Sequence, residues 1–481
     1  MDADESSKEI ESRFRRLSPS LISQASQCLH FYFLELYGDH SLKTTASAGQ
    51  ILSRERGLEF ERQVVVTLKG VEEPSWDQKD LKNGYLSTVK LMEKGAPWIH
   101  GGVLMNLQLV GIPDLLKKVS GRSRFGIYSY IPVEIKAHKQ VQKKDILQVV
   151  AYSIMLGELI GEPCTNGGVW LNTNEIEELE IADHLPVFEL VKTKMEQISS
   201  KQLETEPIWC SACSLCQWLG FCKDTWNKKG SISLLPGGGK SSTQKLQAIG
   251  IKTITALTQS DPQQIAAMAN MSEKSADKLW RHAQARVQGK PIVIKKPKFS
   301  ENVPIVFYDV ETYGNTVFLH GLIRLFEGKR EEKFFFADSL ENAEKAWHEF
   351  LEFIAHDKGP VIYCWTFFEQ ARARECLERF GGNEKAYKVL MTGLTDQCKW
   401  TSTHFAFPTR SYSIKEVAPA LGFHWQAKDA GGMNCEAWYG EWLKTKDESL
   451  KKKILAYNRD DILAMEVIYQ QLKCLCESSC A

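Results

Sequence analysis

No run in this 481-residue sequence approaches the ~20 uncharged apolar residues that a membrane helix requires, so no membrane association is expected. The opening MDADESSKEIESRFRR shows no apolar core of the kind a secretory leader carries, and the expected compartment is cytoplasmic. Net charge is absent too. Sixty Lys and Arg balance sixty Asp and Glu, and the whole-chain balance gives no warrant for a nucleic-acid partner. There is no internal repeat and no complete phosphate loop. Gly239-Lys240-Ser241 supplies the ending of such a loop, but its other glycine would have to stand at Leu234, so no ATPase engine is expected. Thirteen cysteines are an odd number and few for so long a chain, which argues against a disulfide framework.

What is present is uneven. The length implies more than one hydrophobic core, and composition divides the chain into three blocks. Residues 1–228 mix helical and strand-like segments and end in a cysteine cluster. After the Gly/Ser-rich punctuation around Gly237, residues 231–290 read as short helices. Prolines 291, 297 and 304 mark a linker, and residues 304–476 alternate strands with helices. From Lys240 to Ser300, eleven Lys and Arg face three acids, a local excess able to track a phosphate backbone or simply to solvate a helical face.

Two carboxylate constellations carry chemistry. In the first, Val103 to Leu116 reads as a strand interrupted by Gly111-Ile112-Pro113-Asp114, and Ile127 to Ile135 as a second strand running into Glu134-Ile135-Lys136. Side chains alternate along a strand, so Glu134 and Lys136 share a face, which Asp114 reaches if the strands pair. Two hard-oxygen carboxylates can hold Mg2+ or Mn2+ while the lysine orients water or steadies phosphorane charge. Gln148 and Tyr152 stand one helical turn apart just downstream. Upstream, Arg56 to Glu61 opens a helix whose Glu61 offers a further ligand, with Glu59 read as a surface acid.

In the second, the apolar run Val303 to Tyr308 ends in Asp309-Val310-Glu311, and two charges on one face of such a strand call for a ligand. Tyr457 and Asp461 lie four apart in a helical pattern. Between them, Val361 to Trp365 reads as a strand followed by Phe368-Glu369, with Asp396 read as a turn or cap residue. Cys210, Cys213, Cys216 and Cys222 lie within thirteen residues, at spacings that chelate one metal centre, zinc included; Cys28 stands alone.

The set Gly57/Glu61, Gly111/Asp114, Glu134/Lys136 and Gln148/Tyr152, bracketed by Cys28 and the later cysteines, resembles the RecB-type branch of the PD-(D/E)XK nucleases. Within that branch it is similar to the iron-sulfur forms of CRISPR-associated and AddAB-type exonucleases. Many members carry a histidine in the first helix motif, where this chain has Phe60 and Glu61. The resemblance implies a restriction-endonuclease-like N-terminal domain and a [4Fe-4S] cluster on Cys28, Cys213, Cys216 and Cys222, leaving Cys210 spare. The rival assignment uses the four contiguous cysteines. Asp309/Glu311 with Tyr457/Asp461 resembles the tyrosine subclass of DEDD 3′–5′ exonucleases and implies an RNase H-like C-terminal fold, with Glu369 where that family has aspartate. Residues 231–290 resemble a helix-hairpin-helix module.

Together the blocks resemble RecB-like nucleases that carry an additional RNase H-like domain. The expectation is an α/β multidomain, metal-dependent DNA exonuclease acting on single strands or ends, in repair, recombination or defence. Lacking a motor, it would work beside a helicase encoded elsewhere. The competing readings are a nucleic-acid-binding or scaffolding protein with one vestigial centre, and an RNA-directed exonuclease.

Overall fold

The computed structural model describes residues 16–46, 48–426 and 432–477; the first fifteen residues, most of the stretch read for a leader, lie outside the described residues. The chain divides into two compact units, one of residues up to Thr45 with Ile51–Phe221, the other of Ala46–Gln50 with Cys222–Ala481. No helix among the described residues is long and apolar enough to cross a membrane.

The first unit is built on a six-stranded sheet whose spatial order follows the chain: β1 (Val71–Glu72), β2 (Trp98–His100), β3 (Leu115–Val119), β4 (Ser129–Lys136), β5 (Asn166–Leu171) and β6 (Ile176–Glu180). β4 is antiparallel to β3 and parallel to β5, with Leu115 opposite Val133. Helix α1 (Ala48–Thr67) contributes Val64 to a cluster with Leu115, Val133 and Ile135 on one face. Helix α2 (Lys143–Ile160) packs Leu147, Val150, Ala151 and Met155 into the cluster holding Tyr130 and Val169 on the other. Its start is fixed by a capping box between Gln142 and Asp145, and its end by Gly161 in the left-handed region.

The expected strand over Val103–Leu116 is corrected. It breaks into the short pair Leu104–Met105 and Val110–Gly111, then β3. The cause is Asn106, whose side chain accepts from the N–H groups of Gln108 and Leu109 and turns the chain back on itself.

In the second unit the block 231–290 forms helices Lys240–Ala248, Ile254–Thr258, Pro262–Met268 and Glu273–Gln288. Gly250 turns the first pair at φ +86°, while Asp261 and Ser272 cap the last two helices through their side chains. The block is not set apart as a unit of its own. His282 and Arg286 bond the carbonyls of Phe407 and Pro408, and Ile292–Val293, inside the expected linker, pairs with Phe405–Ala406.

The rest of the unit holds a five-stranded sheet of β7 (Ile305–Tyr313), β8 (Thr316–Phe326), β9 (Lys329–Phe336), β10 (Val361–Cys364) and β11 (Leu394–Asp396), ordered β9-β8-β7-β10-β11. β7, β10 and β11 are parallel neighbours; β8 and β9 form an antiparallel meander. Alternation along β7 divides the core. Val306, Tyr308 and Val310 face a cluster with Trp347, Phe350 and Leu351 of α3 (Ala343–Ala355). Ile305 and Phe307 face Ile462, Met465 and Tyr469 of the C-terminal helix, Glu448–Glu477.

The Phe350 ring stacks on Tyr308 at 4.7 Å and on His320 at 4.9 Å and is fully buried. Phe350→Ala is expected to cost about 3–5 kcal/mol of unfolding free energy, read as a lowered urea midpoint at unchanged m-value.

Candidate metal centres

Asp309, Glu311 and Asp461 offer carboxylate oxygens that all lie within 4.8 Å of one another, the one such group of metal-binding side chains among the described residues. Asp309 and Glu311 sit two apart on β7, on the face turned to the C-terminal helix. That helix presents Tyr457, Asn458, Asp461, Ile462 and Met465 at i, i+4 spacing to the same sheet, so burial of its apolar stripe carries the polar residues to the acids.

The acids are held apart from bulk water: Glu311 is 6 % exposed and Asp461 8 %. Burial first, then repulsion from Glu311 and Asp461, raises Asp309 well above the carboxylate range, and burial with Asp461 pushes Glu311 up to about 8. Asn458 answers this. Its amide donates to Asp309 at 2.7 Å and also bonds Glu311, to which the Cys435 thiol is hydrogen-bonded as well. Asn458 fits because its sheet neighbour is Gly321, paired opposite Asp309; a Cβ there would stand 1.8 Å from the Asn458 amide oxygen. Lys415, on the short helix α4 (Ile414–Val417), donates to Asp461 Oδ1 at 2.6 Å, as does the Trp425 indole N–H. Its ammonium lies 3.9 Å from the Trp425 ring centroid and 4.6 Å from that of Tyr457. Burial and the neighbouring Asp461 push the Tyr457 phenol far up, so it stays protonated.

Glu369 lies beside this group and outside it. It enters the first turn of α5 (Phe368–Phe380), is 4 % exposed, and bonds the Cys364 thiol. Burial pushes it up to about 7, and its Oε2 is buried without a hydrogen-bond partner, an unmet valence that a cation or water would satisfy. Asp396 is the cap it was read to be: its side chain accepts from Lys399 N–H at the start of α6 (Gln397–His404). A donor set of hard carboxylate oxygens, raised by mutual repulsion, fits Mg2+ or Mn2+.

The first unit brings Asp114, Glu134 and Lys136 together through β3 and β4. Ile135 N–H donates to Asp114 at 2.7 Å, Asp114 N–H donates to Glu134 at 3.2 Å, and Lys136 reaches Glu134 at 2.7 Å and Asp114 at 3.7 Å. Glu134 is wholly buried, and burial with the Asp114 charge pushes it up to about 8. Asp114 is raised by burial against the pull of Lys136. Tyr152 bonds the Ile112 carbonyl at 2.9 Å and Gln148, on the α2 face near Glu134. Glu61 accepts from His100 at 2.9 Å; Glu61 and then Glu73 raise that imidazole to about 9. Sequence reading missed His100, which pairs across the sheet with Leu115, next to Asp114. It missed Lys415 and Trp425 as well, which come from a short helix and a loop with no spacing to betray them. Asn458 had a signal, lying between Tyr457 and Asp461 on the same helix face.

Of the cysteines, Cys210 lies 3.7 Å from Cys213, sulfur to sulfur, and also bonds Cys28. Cys210 thus touches both Cys28 and Cys213. Cys216 lies nearby in the same unit; Cys222 is buried in the helix Leu219–Lys229 and belongs to the second unit.

Residues 306–473 match the RNase_H_2 family model of the RNase_H superfamily. No curated protein matches the chain. The C-terminal domain is thus RNase H-like, a fold that normally uses Mg2+ or Mn2+, and it points to nuclease-type hydrolysis.

Two expectations follow from this geometry. Gly321→Ala places a methyl group against Asn458 and Ile462, and should weaken Mn2+ binding in calorimetry at least about tenfold while lowering the unfolding free energy by about 1–3 kcal/mol. The second concerns pH. Glu311 and Glu369 hold protons in the folded state up to about 8 and about 7, against 4.5 when unperturbed, so their contribution is complete below 4.5 and is lost as pH rises through the folded values. In EDTA the urea midpoint of the second unit should fall as pH rises from 4.5 to about 8, and millimolar Mg2+ should remove the decline.

Proposed function

We propose that this chain is a metal-dependent nuclease that hydrolyses phosphodiester bonds in DNA, working as an exonuclease on single strands or ends. The observation that carries the reading is the convergence of Asp309, Glu311 and Asp461 in an RNase H-like domain, with Tyr457 and Lys415 at its edge. A divalent ion held there supplies the positive charge that offsets the carboxylates and the charge developing on phosphate. The chain's own groups do the rest. Asn458 aims Asp309, and Lys415 fixes Asp461 while presenting an ammonium to an incoming phosphate. The Tyr457 hydroxyl, kept protonated, orients water and does not act as a base. Glu369 stands as the fourth acid, its unpaired oxygen available to ligate.

A second centre is supported by the Asp114/Glu134/Lys136 contacts, with Glu61 as a further ligand and Gln148 and Tyr152 behind Glu134. In this reading Lys136 steadies charge at the phosphate, as a RecB-like site would use it. The thiols of Cys28, Cys210, Cys213 and Cys216 give the first unit soft ligands suited to zinc or iron-sulfur chemistry. Lys245 on the helix Lys240–Ala248 and Lys252 just past the turn at Gly250 give this block cations suited to a phosphate backbone.

End-labelled single- and double-stranded DNA and RNA, incubated with Mg2+ or Mn2+, test this. Asp309→Ala should lower 3′-end trimming at least about a hundredfold, and Lys136→Ala should remove the remaining DNA cleavage. Equal digestion by wild type and both variants sinks the enzyme reading in favour of a binding protein; loss of RNA cleavage alone redirects the C-terminal domain to RNA.

A further inference from the structure

Hydrolysis at Asp114 and Glu134 needs an acceptor for the proton of the attacking water, and most polar groups around these acids are occupied. The Lys136 ammonium lies 2.7 Å from Glu134 and 3.7 Å from Asp114, and two carboxylates hold its protons on it. The Tyr152 hydroxyl donates to the Ile112 carbonyl. His100 has both ring nitrogens on carboxylates, Nε2 on Glu61 at 2.9 Å and Nδ1 on Glu73 at 2.7 Å, and so has no lone pair to offer.

His138 is placed differently. Its Nε2 lies 2.9 Å from Asp145 Oδ2, and among the described residues its Nδ1 has no hydrogen-bond partner. Asp145 is 2 % exposed and shares a face of α2 with Gln148 and Tyr152, at i, i+3 and i+7. Its charge acts on the Lys136 ammonium, so the pair His138–Asp145 and the acids Asp114 and Glu134 have that lysine in common. Capping explains part of the arrangement, since Asp145 Oδ2 also accepts from the Gln142 N–H at 3.1 Å at the start of α2. A cap needs no histidine. A carboxylate only accepts, so Asp145 fixes the proton of a neutral imidazole on Nε2 and leaves the lone pair on Nδ1. The His138 side chain is 28 % exposed, open enough to meet a water and to pass a proton on to solvent.

We propose that His138 is the proton acceptor of the first unit's centre, with Asp145 as its positioning residue. The proposal rests on the nuclease reading of Asp114, Glu134 and Lys136 and adds the base which that reading lacks. In the step, the water oxygen bonds phosphorus while its proton passes to His138 Nδ1. The bond from phosphorus to the departing sugar oxygen breaks, and that oxygen takes a proton from bulk water. His138 then returns its proton to solvent. The imidazolium formed on the way is stabilised by the buried Asp145 carboxylate 2.9 Å from it.

The test uses the full chain carrying Asp309→Ala, so that the DNA cleavage left belongs to the first unit, with end-labelled single-stranded DNA and Mg2+. Adding His138→Gln keeps an N–H donor for Asp145 and removes the proton acceptor; kcat should fall about a hundredfold or more with KM unchanged. Adding Asp145→Asn keeps an acceptor for the cap but sets an amide N–H against Nε2, which moves the imidazole proton to Nδ1, and kcat should fall in the same way. Adding His138→Gly should slow cleavage and free imidazole should restore it, a rescue that a merely structural histidine does not show. Urea midpoints equal to the parent's exclude misfolding as the cause of a loss. A parent whose cleavage Lys136→Ala abolishes while His138→Gln cuts as fast as the parent overturns the proton-acceptor role alone. So does a slow His138→Gly variant that imidazole leaves unrestored. A parent with no DNA cleavage for Lys136→Ala to remove overturns the nuclease reading of this centre and the proposal with it.

Discussion

The bond from the Asn458 amide to Asp309, at 2.7 Å, is the joint on which the C-terminal centre depends. Three carboxylates brought within 4.8 Å of one another in a poorly hydrated site repel, and the chain must hold them there before any cation arrives. Hydrophobic packing does the holding. Ile462 and Met465 dock on Ile305 and Phe307, and the polar residues of the same helix are carried along. Asn458 then offsets part of the repulsion with an uncharged donor, and the absence of a side chain at Gly321 makes room for it. Lys415 contributes the positive charge, and the Trp425 indole N–H shares the same Asp461 oxygen.

The two centres solve one problem with different parts. In the first unit the cation is local: Lys136 stands two residues from Glu134 and meets it on the same strand face. In the second, no lysine lies near Asp309 in sequence, and Lys415 comes from a separate short helix. Both sites keep a buried glutamate, Glu134 or Glu311, pushed up to about 8 by burial and a neighbouring acid. Such a group resists ionising until a cation approaches, so an ion taken up by Asp309, Glu311 and Asp461 would displace a proton.

How much was legible follows from the range of each interaction. Alternation on a strand and i, i+4 spacing on a helix are local, so Glu134/Lys136, Asp309/Glu311 and Tyr457/Asp461 could be placed from spacing alone. The cap Asp396 was readable for the same reason. The strand over Val103–Leu116 was misjudged because the Asn106 turn sits inside an apolar run, where periodicity gives no warning. His100 and Lys415 could not be found, since each reaches its site through sheet register or a separate short helix that no local pattern encodes. Glu369 was read as a further acid of the site, and spacing could not say that it would stand beside the three acids and bond the Cys364 thiol.

Range also orders the assembly of the two sites. Asp114 and Glu134 are twenty residues apart and meet across adjacent antiparallel strands, so this centre forms as soon as β3 and β4 pair. Asp309 and Asn458 are separated by 149 residues, and their bond waits for the last helix to dock on a sheet whose strands β10 and β11 are added after β7 in the chain. Closing so long a loop is repaid only when the apolar stripe of that helix is buried. The three-acid group is therefore absent from any state in which the C-terminal helix is undocked. Such a state has carboxylates spread in water and no reason to bind an ion, so the competence of this centre to hold metal is set by the same packing that completes the domain.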